Sequence, residues 1–354
     1  MRTWLQWLTM GVVAGLAAAL FVYLFNCGPG MTGEAGTGRI AAGGAPAEAP
    51  GAPPAARMGS GKARTIRIGW TAWADAEVMS LLAQNLLENR LGMNVQRVMT
   101  DIGIQYQSVA NGDLDIMLMA WLPVTHHQYW VKVRDKVVNL GVLYTGRLGW
   151  VVPDYVPKDR LDSIADLRNP EVAKRIGNRI QGIDPGSGLM QASEKAMRAY
   201  GLDNLQLVAA SGAAMTAVLD RAIRHHQWVV VTAWRPHWIF AQYHLRFLKD
   251  PKGILGGEER IHAIARQGFQ SDFPAQVTNF FSRLYLPEED LAHMLLKAQK
   301  SSPEEAVRSY IRSHPERVRY WVTGKIAEPG KTGRAPAAAP GKGSGPRQAA
   351  GPGE

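Results

Sequence analysis

Cysteine is almost missing from this 354-residue sequence, which contains only Cys27. A single cysteine cannot form an intramolecular disulfide, and it excludes a zinc site built from several cysteines. The Walker phosphate-binding pattern and the Gly-x-Ser-x-Gly nucleophile elbow are also missing. The chain therefore lacks the motifs for hydrolysing ATP itself and for one large class of serine hydrolases.

A concentrated basic region is missing as well, although the formal net charge is +10. Most of the excess charge lies at the two ends of the chain, in residues 1–64 and 324–354. Residues 65–323 contain no basic stripe interleaved with aromatic residues, which is the pattern expected of a nucleic-acid-binding surface. We therefore expect no nucleic-acid partner.

The amino end carries a long apolar run from Trp4 to Phe25. About 22 residues of helix span roughly 33 Å, enough to cross a bilayer core, whereas the apolar part of a signal peptide is usually about 7–15 residues. Residues 1–27 are thus predicted to be a membrane anchor or a signal segment, with an uncleaved anchor over 4–25 preferred. Lipidation at Cys27 and simple cleavage are the alternatives. All three place the rest of the chain in the periplasm or on the extracytoplasmic face of a bacterial inner membrane.

Two segments rich in Gly, Ala and Pro flank the remainder of the chain. Residues 28–64 are predicted to be a flexible linker and residues 324–354 a disordered tail. Between them, short apolar runs alternate with longer helical patterns, which indicates an α/β fold. Strands are predicted at 65–69, 115–119, 149–152, 179–183, 206–209 and 228–231, and helices from Asp75 and over 189–200 and 213–225.

Three tryptophans are predicted to follow strands, namely Trp73, Trp121 and Trp234. Side chains at such positions project towards the carboxyl edge of a sheet, where ligands bind in α/β folds. A trimethylammonium group carries a positive charge without an N–H to donate, so indole faces suit it by combining cation–π attraction with apolar contact. Each such contact contributes about 0.5–2 kcal/mol. Packing in the core is the simpler alternative for any one of these rings.

The segment Gly182–Gly188 (Gly-Ile-Asp-Pro-Gly-Ser-Gly) joins a predicted strand to a predicted helix, and such a junction presents free backbone amides to an anion. His126 lies five residues beyond Trp121 and could donate a hydrogen bond to the same anion. The adjacent histidine pairs do not have metal-ligand spacing, so no metal site is predicted. The acidic residues Asp75 and Glu77 are explained by the preference of carboxylates for a helix N-terminus.

Three motifs together resemble the glycine betaine-binding proteins of osmoprotectant ABC importers, across about residues 65–323. They are the 182–188 segment, the 120–126 segment (Ala-Trp-Leu-Pro-Val-Thr-His) and the 231–238 segment (Val-Thr-Ala-Trp-Arg-Pro-His-Trp). The resemblance implies a cage for the ammonium group built from Trp73, Trp121 and Trp234. It also implies that the ligand carboxylate is bound by His126 and by the backbone amides of Gly182 and Ile183.

The resemblance further implies a two-lobed periplasmic-binding-protein clamp of type II, preceded by the membrane-anchor helix. Lobe A would comprise residues 65–147, completed by C-terminal helices at about 253–323, and lobe B residues 148–252. The implied function is capture of glycine betaine, or a related quaternary ammonium osmolyte, for delivery to an ABC permease and its ATPase. Choline binding and osmolyte sensing are the alternatives. No enzymatic activity and no cofactor are expected.

Overall fold

The structure is a computed structural model that describes residues 64–326. The predicted anchor over 4–25, Cys27, and nearly all of the predicted linker and tail lie outside the described residues. Among residues 64–326, no helix is long and apolar enough to span a bilayer.

Within residues 64–326, nine strands form one mixed sheet in the order β2-β1-β3-β9-β4-β7-β5-β6, with β8 paired to β4. In chain order they are β1 Thr65–Trp70, β2 Asn94–Met99, β3 Ile116–Leu122, β4 Val137–Pro153, β5 Arg179–Gln181, β6 Gln206–Val208, β7 Val231–Arg235, β8 Leu245–Phe247 and β9 Glu258–Arg266. The pairs β1–β2, β1–β3, β5–β6 and β5–β7 are parallel, whereas β4 and β9 are antiparallel to their neighbours.

Helices from along the chain pack against this sheet. They are α1 Ala74–Leu91, α2 Ile102–Asn111, α3 His127–Val133, α4 Pro170–Arg175, α5 Gly188–Tyr200, α6 Gly212–Arg224, α7 Ile239–Gln242, α8 Phe269–Asp272, α9 Ala275–Arg283, α10 Glu288–Lys300, α11 Pro303–Ser313 and α12 Pro315–Thr323. Short 3₁₀ helices occupy Arg134–Lys136 and Ile164–Arg168.

Local sequence signals set several of these boundaries. The helix α1 begins with Asp75 and Glu77 in its first turn and ends at Gly92, whose φ of 65° is the left-handed conformation that glycine adopts readily. The Ser302 side chain caps α11 by accepting a hydrogen bond from the Glu305 amide, with proline at the first helical position.

The chain is two-lobed, and the 17-residue strand β4 runs through both lobes. Its first part pairs with β9 over Val137–Arg147, and its last part pairs with β7 over Arg147–Val151 and then with β8. The sheet of lobe A contains β1, β2 and β3, and that of lobe B contains β5, β6 and β7. A smaller apolar core lies wholly within residues 150–255, centred on the fully buried Trp150, whose indole donates to Ser193. The lobe limits given above remain a prediction.

Two sequence predictions are corrected here. The segment 253–323 was expected to be helical, but it contains the nine-residue strand β9, which pairs with β3 and β4 in the middle of the sheet. Trp121 and Trp234 were expected after their strands, yet both lie inside them, in β3 and β7. Each strand ends at the residue directly before a proline, β3 before Pro123 and β7 before Pro236. Proline ends the strand because it has no N–H to donate to the neighbouring strand.

Candidate ligand-binding site

A cavity lies where the two lobes meet at the carboxyl ends of β1, β3 and β5. The empty space at this site, including the open solvent at its mouth, is about 300 Å³. Five of the six residues predicted for the site line it, and Gly182 does not. The lining residues are Trp73, Asp75, Trp121, Thr125, His126, Leu148, Ile183, Ser187, Gly188, Leu189 and Trp234.

The three predicted tryptophans come together in this cavity from different elements. Trp73 immediately precedes α1, Trp121 lies in β3, and Trp234 lies in β7. The ring centroids of Trp73 and Trp234 are 6.4 Å apart with an interplanar angle of 57°, and Trp121 meets Tyr144 edge-on at 6.5 Å. All three indoles are at least 93% buried, so little of their surface meets solvent.

Two of these indoles also join the lobes through their N–H groups. Trp73 Nε1 donates to Asp184 Oδ2 at 2.9 Å, and Trp234 Nε1 donates to Asp75 Oδ1 at 3.2 Å. In each pair one partner belongs to lobe A and the other to lobe B. Since the polar edge of each ring is already satisfied, these rings can offer a ligand only their apolar π surface.

Asp75 supplies the negative charge of the site, and sequence reasoning missed this role. Its side chain is 1% exposed, and Tyr144 Oη donates to Oδ2 at 2.8 Å. Burial raises the pKa of Asp75 to about 6, while the hydrogen bonds from Tyr144 and Trp234 offset part of that rise. Among residues 64–326, those lining the cavity include one carboxylate and no lysine or arginine. The cavity therefore favours a cation.

A sequence signal for Asp75 did exist. The residue lies on the same helical face as Met79, Leu82 and Leu86, all of which are buried. An acidic residue on the apolar face of a helix is seldom buried without a partner or a function. Asp75 also lies in the first turn of α1, where carboxylates are common for a purely local reason. That local reason appeared sufficient, so its place on the apolar face was overlooked.

His126 lines the cavity as a neutral, buried ring. It is 1% exposed, and its Nδ1 accepts a hydrogen bond from the Trp121 amide at 3.2 Å. Burial lowers the pKa of His126 to about 3, with the Met119 carbonyl offsetting part of the effect. The proton of the neutral ring is accordingly on Nε2, so His126 can act as a hydrogen-bond donor at physiological pH.

Glu259 of β9 fixes the loop that carries His126. Its carboxylate accepts hydrogen bonds from the Val124 amide at 2.8 Å, the Thr125 amide at 2.9 Å and the Thr125 hydroxyl. Glu259 is itself buried. Sequence reasoning missed this residue because it is separated from its partners by more than 130 positions and no local pattern marks it.

The prediction for Gly182 is wrong in this structure. Its amide donates to the Val208 carbonyl at 2.8 Å, so the sheet already uses the N–H that was expected to bind an anion. A Cβ at this position would lie 2.3 Å from Met190 Sδ. Glycine here leaves room for the Met190 side chain of α5.

The lobe B side of the cavity forms one of its walls. On this wall, backbone amides other than that of Gly182 are available to bind an anion. In the described part of the chain, the amides of Ile183, Gly188 and Leu189 have no hydrogen-bond acceptor. Gly188 and Leu189 are the first two residues of α5, where the helix dipole adds a partial positive charge. The Ser187 side chain satisfies the next donor, the Met190 amide, at 3.2 Å. This wall therefore suits an anionic group.

The lobes approach each other closely at Gly188. A Cβ built there would lie 2.4 Å from Thr125 Cγ2 and 2.5 Å from the Thr125 carbonyl oxygen. Gly188 belongs to lobe B and Thr125 to lobe A, so the contact crosses the cavity. Only glycine permits this approach.

Comparison with known proteins agrees with this geometry. Residues 64–313 match the family model described as the substrate-binding domain of ABC-type glycine betaine transport systems. The chain belongs to this family. Its relatives are substrate-binding proteins of ABC transporters and not enzymes.

Individual relatives support the assignment. The glycine betaine/carnitine transport binding protein of Listeria monocytogenes is 38% identical over 160 residues, which is 44% of this chain and 52% of that protein. The chain thus spans about half the length of that relative in the match. The glycine betaine/proline betaine-binding periplasmic protein of Escherichia coli is 23% identical over 304 residues, covering 75% of this chain and 92% of that protein.

A solved structure confirms the fold. The closed, liganded structure of lactococcal OpuAC in complex with glycine betaine is 32% identical with a TM-score of 0.68. The similarity covers 73% of this chain and 99% of that one. The two-lobed periplasmic-binding-protein architecture is therefore that of the family.

Proposed function

We propose that this chain binds glycine betaine, or a closely related betaine, in the cavity between its lobes. The observation that carries the proposal is the chemical asymmetry of the cavity. Three indoles and a buried carboxylate lie on the same lining as a neutral histidine donor and three backbone amides that have no acceptor among residues 64–326. Such a cavity offers one environment for a methylated cation and another for a carboxylate.

The cation is held by Trp73, Trp121, Trp234 and Asp75. Each indole contributes about 0.5–2 kcal/mol of cation–π attraction, and the higher value applies when water is excluded. Asp75 already accepts two hydrogen bonds. The ionised carboxylate keeps its negative charge and so attracts a quaternary ammonium group. That attraction needs no N–H on the ligand, because it is electrostatic and not a directional hydrogen bond.

The ligand carboxylate is held by His126 and by the amides of Ile183, Gly188 and Leu189. Charge-assisted hydrogen bonds of this type are stronger than neutral ones. Choline has the same cationic head with a hydroxyl in place of the carboxylate, so it would leave most of these donors without an anionic partner. This difference favours a betaine over choline.

Calorimetric titration of the purified chain tests the proposal. We expect glycine betaine to bind in the micromolar range, which corresponds to about 8 kcal/mol, and choline to bind more weakly. The matched control is 3,3-dimethylbutanoate, in which carbon replaces the ammonium nitrogen without changing the shape. This isostere keeps the carboxylate and has an uncharged head, so if it bound as tightly as glycine betaine, the cation site would be contradicted. Tight binding of choline without any binding of betaines would contradict the proposal that the ligand is a betaine.

We also propose that the chain acts on the extracytoplasmic side of a membrane and delivers its ligand to an ABC permease with its ATPase. The family membership supports the transport role, and the apolar run over residues 4–25 supports anchoring. Cell fractionation with an alkaline wash tests the anchor. Release of the intact chain into the soluble fraction would contradict it, and unchanged glycine betaine uptake in cells lacking the chain would contradict delivery.

A further inference from the structure

Tyr129 makes a contact between the lobes that lies outside the ligand cavity. Its hydroxyl donates to the Gly186 carbonyl at 2.6 Å and accepts a hydrogen bond from Gln191 Nε2 at 2.7 Å. Tyr129 belongs to α3 in lobe A, whereas Gly186 and Gln191 belong to lobe B. Two hydrogen bonds therefore cross the cleft without using any of the residues that line the cavity.

The Tyr129 ring is held in place by its own lobe. It stacks on Tyr106 with centroids 5.6 Å apart and an interplanar angle of 18°, and it meets His126 edge-on at 6.0 Å. A Cβ at Gly103 would lie 3.1 Å from the Tyr129 ring, so glycine at that position leaves the ring its space. The hydroxyl is consequently positioned by lobe A alone, and it needs lobe B only for its hydrogen bonds.

The partner loop in lobe B is the one that supplies the donors for the ligand. Gly186 lies between Ile183 and Gly188, and neighbouring Asp184 accepts the indole N–H of Trp73 at 2.9 Å. The 183–188 loop is thus joined to lobe A at two points, once through Trp73 beside the cavity and once through Tyr129 farther out. A separation of the lobes would therefore break the Tyr129 contact and draw this loop away from the cavity together.

We propose that Tyr129 and Gln191 form a latch that holds the lobes closed and sets the rate at which ligand leaves. This inference rests on the proposed ligand-binding function and adds a positioning residue to it. A contact made only in the closed form stabilises that form, and the apparent affinity rises with the closed population even though the latch does not touch the ligand. The latch acts after the ligand has entered, so it affects dissociation and leaves association unchanged.

Stopped-flow tryptophan fluorescence of the full chain tests the latch, with Tyr129→Phe as the variant. Phenylalanine keeps the stacked ring and removes both cross-lobe hydrogen bonds. We expect glycine betaine to dissociate about five- to twentyfold faster, as the loss of two partly exposed hydrogen bonds implies, with an unchanged association rate. Combining Tyr129→Phe with Gln191→Leu should add little, since both changes remove the same contact.

Tyr155→Phe is the matched control. The Tyr155 hydroxyl donates to the Gln227 carbonyl at 2.6 Å, and both residues belong to lobe B. This variant should lower the thermal midpoint and leave ligand dissociation unchanged. Equal acceleration by Tyr155→Phe, or wild-type release from Tyr129→Phe, would overturn the latch.

The wild-type titration separates the latch from the function on which it rests. If the wild-type chain binds betaine and Tyr129→Phe releases it at the wild-type rate, the latch fails and the proposed function stands. If the wild-type chain binds no quaternary ammonium compound, the proposed function fails. In that case X-ray scattering of the ligand-free chain tests whether the latch exists. Tyr129→Phe should have a larger radius of gyration than wild type, because its lobes are held together less. Equal radii would contradict the latch.

Discussion

The two lobes build opposite walls of one cavity with different chemistry. Lobe A contributes mostly side chains, with Asp75 and His126 beside the indoles of Trp73 and Trp121. Lobe B contributes Trp234 and a loop whose useful groups are backbone amides. Apart from His126, the lobe A side chains suit a cation, and they can be altered residue by residue. The lobe B amides suit an anion and can be altered only by moving the loop, whereas Trp234 adds a third indole for the cation.

The two walls are also held by different means. The buried Glu259 fixes the 124–125 amides in lobe A. The start of α5 holds the lobe B loop, with Ser187 as its cap. Lobe A is therefore arranged before closure by a contact within itself, whereas the lobe B donors reach the ligand only when the lobes meet. We therefore expect substitutions at the contact between the lobes to weaken glycine betaine binding more than substitutions within either wall.

Gly188→Ala should have the largest effect, because its Cβ would lie 2.4 Å from Thr125 across the cavity. The lobes would have to separate or distort, and overpacking of this kind costs about 1–3 kcal/mol, equivalent to about five- to 150-fold in affinity. Titration with glycine betaine measures the loss, and thermal unfolding of the ligand-free chain should show little change. Gly186→Ala is the matched control, since a Cβ there meets nothing within 4 Å. Equal affinities for both variants would contradict the close approach.

Trp121→Ala should have the next largest effect, on the side-chain wall. Removing one indole from the cage should weaken glycine betaine binding by at least about 1 kcal/mol, or roughly fivefold. Circular dichroism should confirm that the variant is folded, because Trp121 also packs on Tyr144. As a control, Trp228→Ala removes a tryptophan of lobe B that lies under Arg175 and does not line the cavity. If Trp121→Ala retains wild-type affinity, Trp121 is not part of the cage.

Asp75→Asn should have the smallest effect and the clearest pH signature. The pKa of Asp75 is about 6 in the ligand-free chain, so its negative charge is lost as the pH falls from 7.5 to 5. Wild-type affinity for the cation should decrease over this range, whereas Asp75→Asn should be about threefold weaker at pH 7.5 and nearly independent of pH. His126 and His237 do not titrate here, because burial lowers the pKa of each to about 3. A wild-type affinity that rises on acidification would contradict this role.

Much of the fold and site could be predicted from local patterns. The first strand, the helix from Asp75 and the helix after the 182–188 segment are all present, because alternation and capping act over a few residues. The strand β9 was missed because its partners, β3 and β4, lie more than a hundred positions earlier in the chain. The free amide of Gly182 was wrongly predicted because the sheet neighbour that uses it, Val208, is distant in sequence.

The sequence by itself determined which chemical groups this protein could bring to a ligand: the tryptophans, one histidine and a glycine-rich turn before a helix. Residue type and short-range periodicity fix these features without any knowledge of the fold. Tertiary structure alone decided that Asp75 faces the cavity, that Glu259 holds the loop at Val124 and Thr125, and that Gly188 lies at the contact between lobes. Those facts depend on distances between residues far apart in the chain, and such distances are set by the packing of the whole sheet and its helices.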